Sequence, residues 1–247
     1  MSIAATLRQP ADQDIAARVA ALDLPHLAAA LDAEGYAVLP ALLTPAECAA
    51  LAASYDRQDR FRSRIVMARH GFGQGEYQYF AYPLPESVAA LRSALYALLT
   101  PIANRWSAAL GLPARYPPEH AAFLARCHRA GQNRSTPLLL RYGQGDYNRL
   151  HQDLYGEHVF PLQATFLLSR PEVDFAGGEL VLVEQRARMQ SRAEVVPLTQ
   201  GDGVIFAVNR RPVASTRGVT RVAMRHGVSR LRAGARMTLG VIFHDAR

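Results

Sequence analysis

The spacing of apolar positions changes partway along the chain. Residues 11–34 carry Ala, Ile, Val and Leu at helical spacing, with a break at Pro25 and a stop at Gly35. A short extended stretch, YAVLP, follows at 36–40. Thr44, Pro45 and Glu47 then supply an N-cap, a proline at the first helical position and a capping-box glutamate, so a helix starts there. Further helices fit residues 86–110, which Pro101 bends or splits, and residues 117–130. From residue 136 the runs shorten: 136–142, 164–168, 179–184, 203–208 and 237–244 are rich in Val, Ile, Leu, Phe and Thr. Turn signals separate them at 143–146, 177–178 and 201–203. Helices first and short strands afterwards predict an α+β fold with a mainly β core, a sandwich or barrel braced by N-terminal helices. With no repeat and no linker, one domain over 1–247 is expected, with helical support over about 1–135 and the β core over about 136–247.

Composition adds limits. At 49% hydrophobic over 247 residues the chain can bury a large core, but no stretch approaches the roughly 18 apolar residues of a membrane helix. The first residues lack a basic segment followed by an apolar one, which predicts a cytoplasmic protein. Two cysteines, Cys48 and Cys127, are too few for a disulfide framework or a thiolate metal cage, and read as small buried hydrophobes. The net charge is +7, and all 28 basic side chains are arginine. Arginine suits carboxylate and phosphate, so the excess fits either an anionic partner or a compositional habit of the source genome.

The candidate chemistry centres on His151-Gln-Asp153, which follows a turn-rich segment. Residues i and i+2 on an extended strand project to one face, so both side chains can grip one ion. With 8 histidines in the chain such a triplet is common by chance and needs a third ligand. His226 can supply it, because in an antiparallel β fold a strand near the C-terminus can return beside the first. Two histidines and one carboxylate leave three positions open on an octahedral ion, room for a chelating 2-oxo acid and dioxygen, as in non-haem Fe(II) oxygenases. Arg236, ten residues after His226, can fork onto the distal carboxylate of 2-oxoglutarate. The other readings are a histidine satisfied in a basic turn for His226, an exposed strand arginine for Arg236 and a core tyrosine for Tyr142. The remaining histidines, at 26, 70, 120, 128, 158 and 244, have no partner at ligand spacing and read as surface or capping residues.

Taken in order, Tyr142, His151-Gln-Asp153, the FAGGEL stretch at 175–180, the GDGVIF stretch at 201–206, His226 and Arg236 resemble an Fe(II)/2-oxoglutarate-dependent dioxygenase of the double-stranded β-helix, or jelly-roll, type. The GYAVLP stretch at 35–40 resembles the N-terminal support of prolyl-hydroxylase-like members. The resemblance implies Fe(II) held by His151, Asp153 and His226, the C5 carboxylate of 2-oxoglutarate on Arg236, Tyr142 hydrogen-bonded to that cosubstrate, and O2 as co-reactant.

The substrate is less directly marked. Residues 57–80 interleave arginines and aromatics, among them Arg62, Arg64, Tyr77 and Tyr79. Arginine on phosphate and aromatics on an unstacked base are how single strands and flipped bases are held. The other reading of that segment is a solvated hairpin packing its Phe and Tyr onto the barrel. More arginines, at 217, 221, 225, 230 and 232, crowd the third ligand. Arg230 and Arg236 have the five-residue separation of a pair in alkylated-base repair dioxygenases, although here the second arginine sits at the cosubstrate distance. The chain resembles a bacterial oxygenase group associated with oxidative demethylation of damaged DNA, which implies alkylated DNA as partner. A peptide or amino-acid hydroxylase and a non-catalytic jelly-roll binding protein stay open as alternatives.

Overall fold

The structure is a computed structural model and describes residues 14–215 and 218–247. Two short helices open it, α1 (Ile15–Ala20) and α2 (Leu24–Glu34), capped by the Asp14 and Asp23 side chains. Pro25 does not break a helix. It lies in the first turn of α2, where its missing N–H costs no hydrogen bond, and the break falls just before it. Gly35 ends α2 in the left-handed conformation, and β1 (Tyr36–Leu39) follows. Helix α3 (Pro45–Ala53) starts on the expected capping box of Thr44 and Glu47.

Three strands come next: β2 (Phe61–Val66), the two-residue β3 (Gly73–Gln74) and β4 (Glu76–Phe80). Helix α4 (Glu86–Ala109) runs unsplit through Pro101, with Leu99, Ile102 and Trp106 buried on either side of the proline, and α5 (His120–Arg129) closes the helical part. The β core comprises β5 (Leu138–Tyr142), β6 (Tyr147–His151), β7 (Leu162–Leu167), β8 (Phe175–Gly177), β9 (Leu180–Gln185) and β10 (Arg192–Val196). It continues with β11 (Gly203–Ala207), β12 (Arg210–Ser215), β13 (Gly218–Val228), β14 (Leu231–Gly234) and β15 (Arg236–Val241).

One sheet has the order β1-β11-β7-β15-β5-β4-β2, and a second runs β10-β9-β13-β6-β3 with β12 beside β13. This is the expected jelly roll. The expected division near residue 135 is corrected, because β1, β2, β3 and β4 all lie before it yet pair into the two sheets. The cause is edge protection: β1 covers β11, and the β2–β4 hairpin covers β5, so both ends of the larger core sheet are capped by chain from the first half. The helices pack into the same apolar cluster as the larger sheet, with Trp106, Phe160, Phe166, Phe206 and Phe243 buried together. Cys48 and Cys127 are buried and unpaired by disulfide, as expected. No helix among the described residues is long and apolar enough to cross a membrane.

Two histidines expected at the surface are core residues instead. His120 bonds the Phe243 carbonyl through Nε2 at 2.8 Å, and His244 Nδ1 accepts from the Phe160 amide at 3.3 Å. Burial, with the charge of nearby Arg92, pushes both rings down to about 4. The unfolded chain therefore binds more protons below about pH 6.5, and stability falls as pH drops from there towards 4. Each ring should cost about 2 kcal/mol of unfolding free energy at about pH 5 relative to neutrality. Urea titrations at the two pH values measure it, and equal stabilities would place both rings in water.

Candidate active site

Strand pairing builds the site. His151 closes β6 and stands directly opposite His226 on β13, so two residues 75 apart in sequence become cross-strand neighbours with ring centroids 4.1 Å apart. Asp153 follows two residues after His151 and turns its carboxylate to both rings, at 3.6 Å from His151 Nε2 and 3.3 Å from His226 Nε2. The three ligand atoms lie within 4.8 Å of one another, the one such grouping of His, Cys, Asp or Glu among the described residues. Two imidazoles and one carboxylate can hold a divalent ion with several positions open to the cavity.

Electrostatics suits that use. Burial, reinforced by His226, holds the His151 ring below its ordinary range and therefore neutral, the ligating form. Burial would raise the Asp153 carboxyl, but hydrogen bonding and charge from His226, with His151 and Tyr155, hold it well below the usual range and ionised. The Tyr155 hydroxyl donates to Asp153 Oδ1 at 2.6 Å and itself receives the Tyr79 hydroxyl at 3.2 Å. Gln163 donates to Asp153 Oδ2 at 2.9 Å, while its Nε2 is 3.1 Å from His226 Nε2. His151 Nδ1 bonds the Arg149 carbonyl at 2.7 Å, which leaves Nε2 for the ion.

The group faces a cavity of about 380 Å³ between the two sheets. At its inner end Arg236 opens β15, paired in register with Tyr142 on β5. Arg236 is 2% exposed, and among the described residues no carboxylate comes within ion-pair distance of it, Glu179 acting on it only from further off. Its guanidinium rests 5.6 Å from the Tyr142 ring and 5.9 Å from that of Phe175. A buried, uncompensated guanidinium is costly unless something anionic meets it. Its NH1 and the Tyr142 hydroxyl are both buried and without partners, as is Gln163 Oε1. Burial raises the Tyr142 phenol to about 12, partly offset by Arg236, so it remains a donor across the physiological range. The Gly177-Gly178 pair makes this end possible. Both residues have positive φ, and a Cβ on Gly178 would lie 2.3 Å from the Leu231 side chain and 3.1 Å from Arg236 Cδ.

The cavity wall includes Tyr77 and Tyr79, which alternate with Glu76 and Gln78 along β4 and so share its inward face. Arg62 lies outside the lining, stacked on the Tyr79 ring at 4.4 Å and bonded to the Ser135 carbonyl. Arg64 is exposed and forked onto Glu76. Arg230 is also exposed and away from the cavity, and its backbone carbonyl receives the Gly178 amide. Arg221, Arg225 and Arg232 are exposed as well, and Arg217 lies outside the described residues. Sequence reading missed Tyr155 and Gln163. Tyr155 continues the i+2 alternation from Asp153, and Gln163 is a long polar side chain within a mostly apolar strand.

Residues 75–246 match the sequence model of a family of oxygenases catalysing oxidative methylation of damaged DNA. Two uncharacterised proteins of Mycobacterium tuberculosis, from strains CDC 1551 / Oshkosh and ATCC 25618 / H37Rv, are each 52% identical over 167 residues, covering 68% of this chain and 72% of theirs. A prolyl-4-hydroxylase of Pseudomonas putida shares the fold with a TM-score of 0.53 at 18% identity, over 91% of this chain and all of that one (100%). An oxidoreductase of the 2OG-Fe(II) oxygenase family from Burkholderia pseudomallei gives a TM-score of 0.55 at 16% identity, over 92% and 94% of the two chains.

The grouping predicts that Asp153→Ala weakens binding of Mn(II), a redox-silent probe of the site, by at least about a hundredfold while the circular dichroism spectrum stays unchanged. Isothermal titration reads this, and unaltered affinity would remove Asp153 from the metal site.

Proposed function

This chain belongs to the oxygenase family matched over residues 75–246, and from that premise we propose that it is a non-haem Fe(II)/2-oxoglutarate-dependent dioxygenase that oxidises alkyl groups on DNA bases. The observation that carries the reading is Arg236, a buried cation with no carboxylate in ion-pair distance among the described residues, lining the same cavity that the His151, Asp153 and His226 side chains face. A ligand that binds metal at one end and carries a carboxylate at the other satisfies both ends, and 2-oxoglutarate has that form. When bound, the iron and its cosubstrate couple oxidative decarboxylation to succinate and carbon dioxide with insertion of one oxygen atom of O2 into a substrate C–H bond.

The chain's own residues bind and orient. His151, Asp153 and His226 would hold the ion, with Tyr155 and Gln163 fixing the carboxylate that bridges them. Arg236 would fork onto the distal carboxylate, and the Tyr142 hydroxyl would donate to it. Tyr77, Tyr79, Leu138, Leu140 and Ile242 would give the cavity an apolar wall that keeps bulk water from the reacting groups. On an N-methyl base, hydroxylation gives an N-hydroxymethyl group, which releases formaldehyde and restores the N–H. That collapse needs no dedicated acid or base, in keeping with a cavity whose one acidic lining residue is Asp153. We further infer that the chain works as a single domain over 1–247, since strands from both halves complete each of the two larger sheets. A binding protein without chemistry would have no use for a buried arginine and three convergent ligand atoms in one cavity.

Arg236→Ala should raise the 2-oxoglutarate Michaelis constant at least about tenfold, roughly 1.4 kcal/mol, as one charge-assisted fork is lost. An unchanged constant would take Arg236 out of cosubstrate binding. The substrate is tested by succinate and formaldehyde release with methylated single-stranded DNA, proline-containing peptides and free amino acids. Formaldehyde with methylated DNA is the expected result. Turnover on peptides or amino acids without formaldehyde from DNA would make the enzyme a hydroxylase.

A further inference from the structure

The mouth of the cavity carries a feature that neither iron nor cosubstrate uses. Phe72 lines it and is 48% exposed, with its ring stacked on His70 at 5.3 Å and 22° between planes. A large aromatic half in water, with the His70 ring against it, presents exposed π surface at the mouth. Leu150, at 43% exposed, lines the same mouth. Two exposed arginines flank this surface in the chain: Arg69, immediately before His70, and Arg149, which also lines the cavity. Neither makes an ion pair among the described residues.

The platform is fixed to the metal-binding strand. The Arg149 amide donates to the Phe72 carbonyl at 2.9 Å, and β3 pairs Gly73 with Asn148 and Gln74 with Tyr147, within four residues of His151. Gly73 has φ of 141°, and a Cβ there would stand 2.2 Å from the Tyr147 carbonyl oxygen, so a glycine is required for the loop to lie this close. The stacked pair is therefore held at a set distance from the reacting centre.

An occupant must offer a flat apolar face to Phe72 and negative charge to Arg69 and Arg149. An unpaired nucleobase on its phosphate backbone does both, whereas a peptide has no such repeating charge. Building on the proposed DNA substrate, we propose that Phe72 and His70 form a stacking platform for the base next to the one inserted in the cavity, with Arg69 and Arg149 on the adjoining phosphates, so that single-stranded DNA is the form bound. A paired neighbouring base already has both faces covered and cannot use the platform. This selects single strands at the mouth, before any chemistry.

The test is fluorescence anisotropy of the full-length protein with a labelled single-stranded DNA dodecamer, its duplex and an RNA of the same sequence. The wild type should prefer the DNA single strand. Phe72→Ala should weaken that binding at least about fivefold, the low end of one base stack, with little change on duplex, and Phe72→Trp should keep it. The double variant Arg69→Ala/Arg149→Ala should flatten the slope of log affinity against log salt by about 1.4, or about 0.7 per phosphate contact. If the wild type binds DNA and Phe72→Ala binds as well, the platform is wrong while the DNA reading stands. Tighter binding to RNA would overturn DNA as the occupant. No salt-sensitive affinity for any strand would sink the platform together with the nucleic-acid reading of the active site.

Discussion

The register of β13 on β6 is the constraint from which the rest of the site follows. Because side chains on a strand alternate between faces, a slip of one residue would send His226 outward and leave Arg225 or Gly227, neither of them a ligand, in its place. The register is held from both sides: β9 pairs with β13 through six consecutive residues from Ala223 to Val228, and β6 meets it with an irregularity between His226 and Val228. Gly227 lies within that irregularity, where a Cβ would be 2.7 Å from the Asn148 carbonyl oxygen. The bulge brings the backbones close enough for the two imidazoles to face each other.

Such a site is expensive to keep. A buried arginine with no carboxylate in ion-pair distance among the described residues and a buried tyrosine hydroxyl without a hydrogen-bond partner there both oppose folding. The opposing contribution comes from the rest of the molecule, where buried charge is satisfied. Arg92 reaches the Ile242 carbonyl, Tyr82, Thr136 and Asp245, and Arg211 binds Glu184 and two carbonyls at the end of α2. The contrast separates the two uses of buried arginine in this chain. Arg92 and Arg211 are closed by their own protein, and Arg236 is left open to the cavity.

Much of this was legible from residue order. The capping box at Thr44, the glycine pair, the HQD triplet, His226 and Arg236 each carry a local rule: a cap, a positive φ, alternation along a strand, a reach between strands. What escaped notice depended on tertiary contacts. Strands β2 and β4 read ambiguously because their arginines and tyrosines suit an exposed ribbon as well as a covering edge, and only pairing to β5 decides. Pro25 looked like a break because a proline's effect depends on whether it falls in the first turn, which the position of the Asp23 cap settles. His120 and His244 became core residues through single backbone groups on distant segments. Gln163 was legible only as a long polar side chain in a mostly apolar strand, and its role needed the position of Asp153.

The turn at Gly178 has a bearing on how such a sequence can change over time. Every residue other than glycine brings a Cβ, and at this position that carbon would press on both Leu231 and the stem of Arg236. A substitution there would disturb a loop and the anion-facing arginine in one step, and a smaller residue at 231 would relieve only the first. The constraint runs one way: Gly178 is held by its positive φ and by both neighbours, whereas Leu231 or Arg236 can change without a clash at this turn as long as the glycine stays.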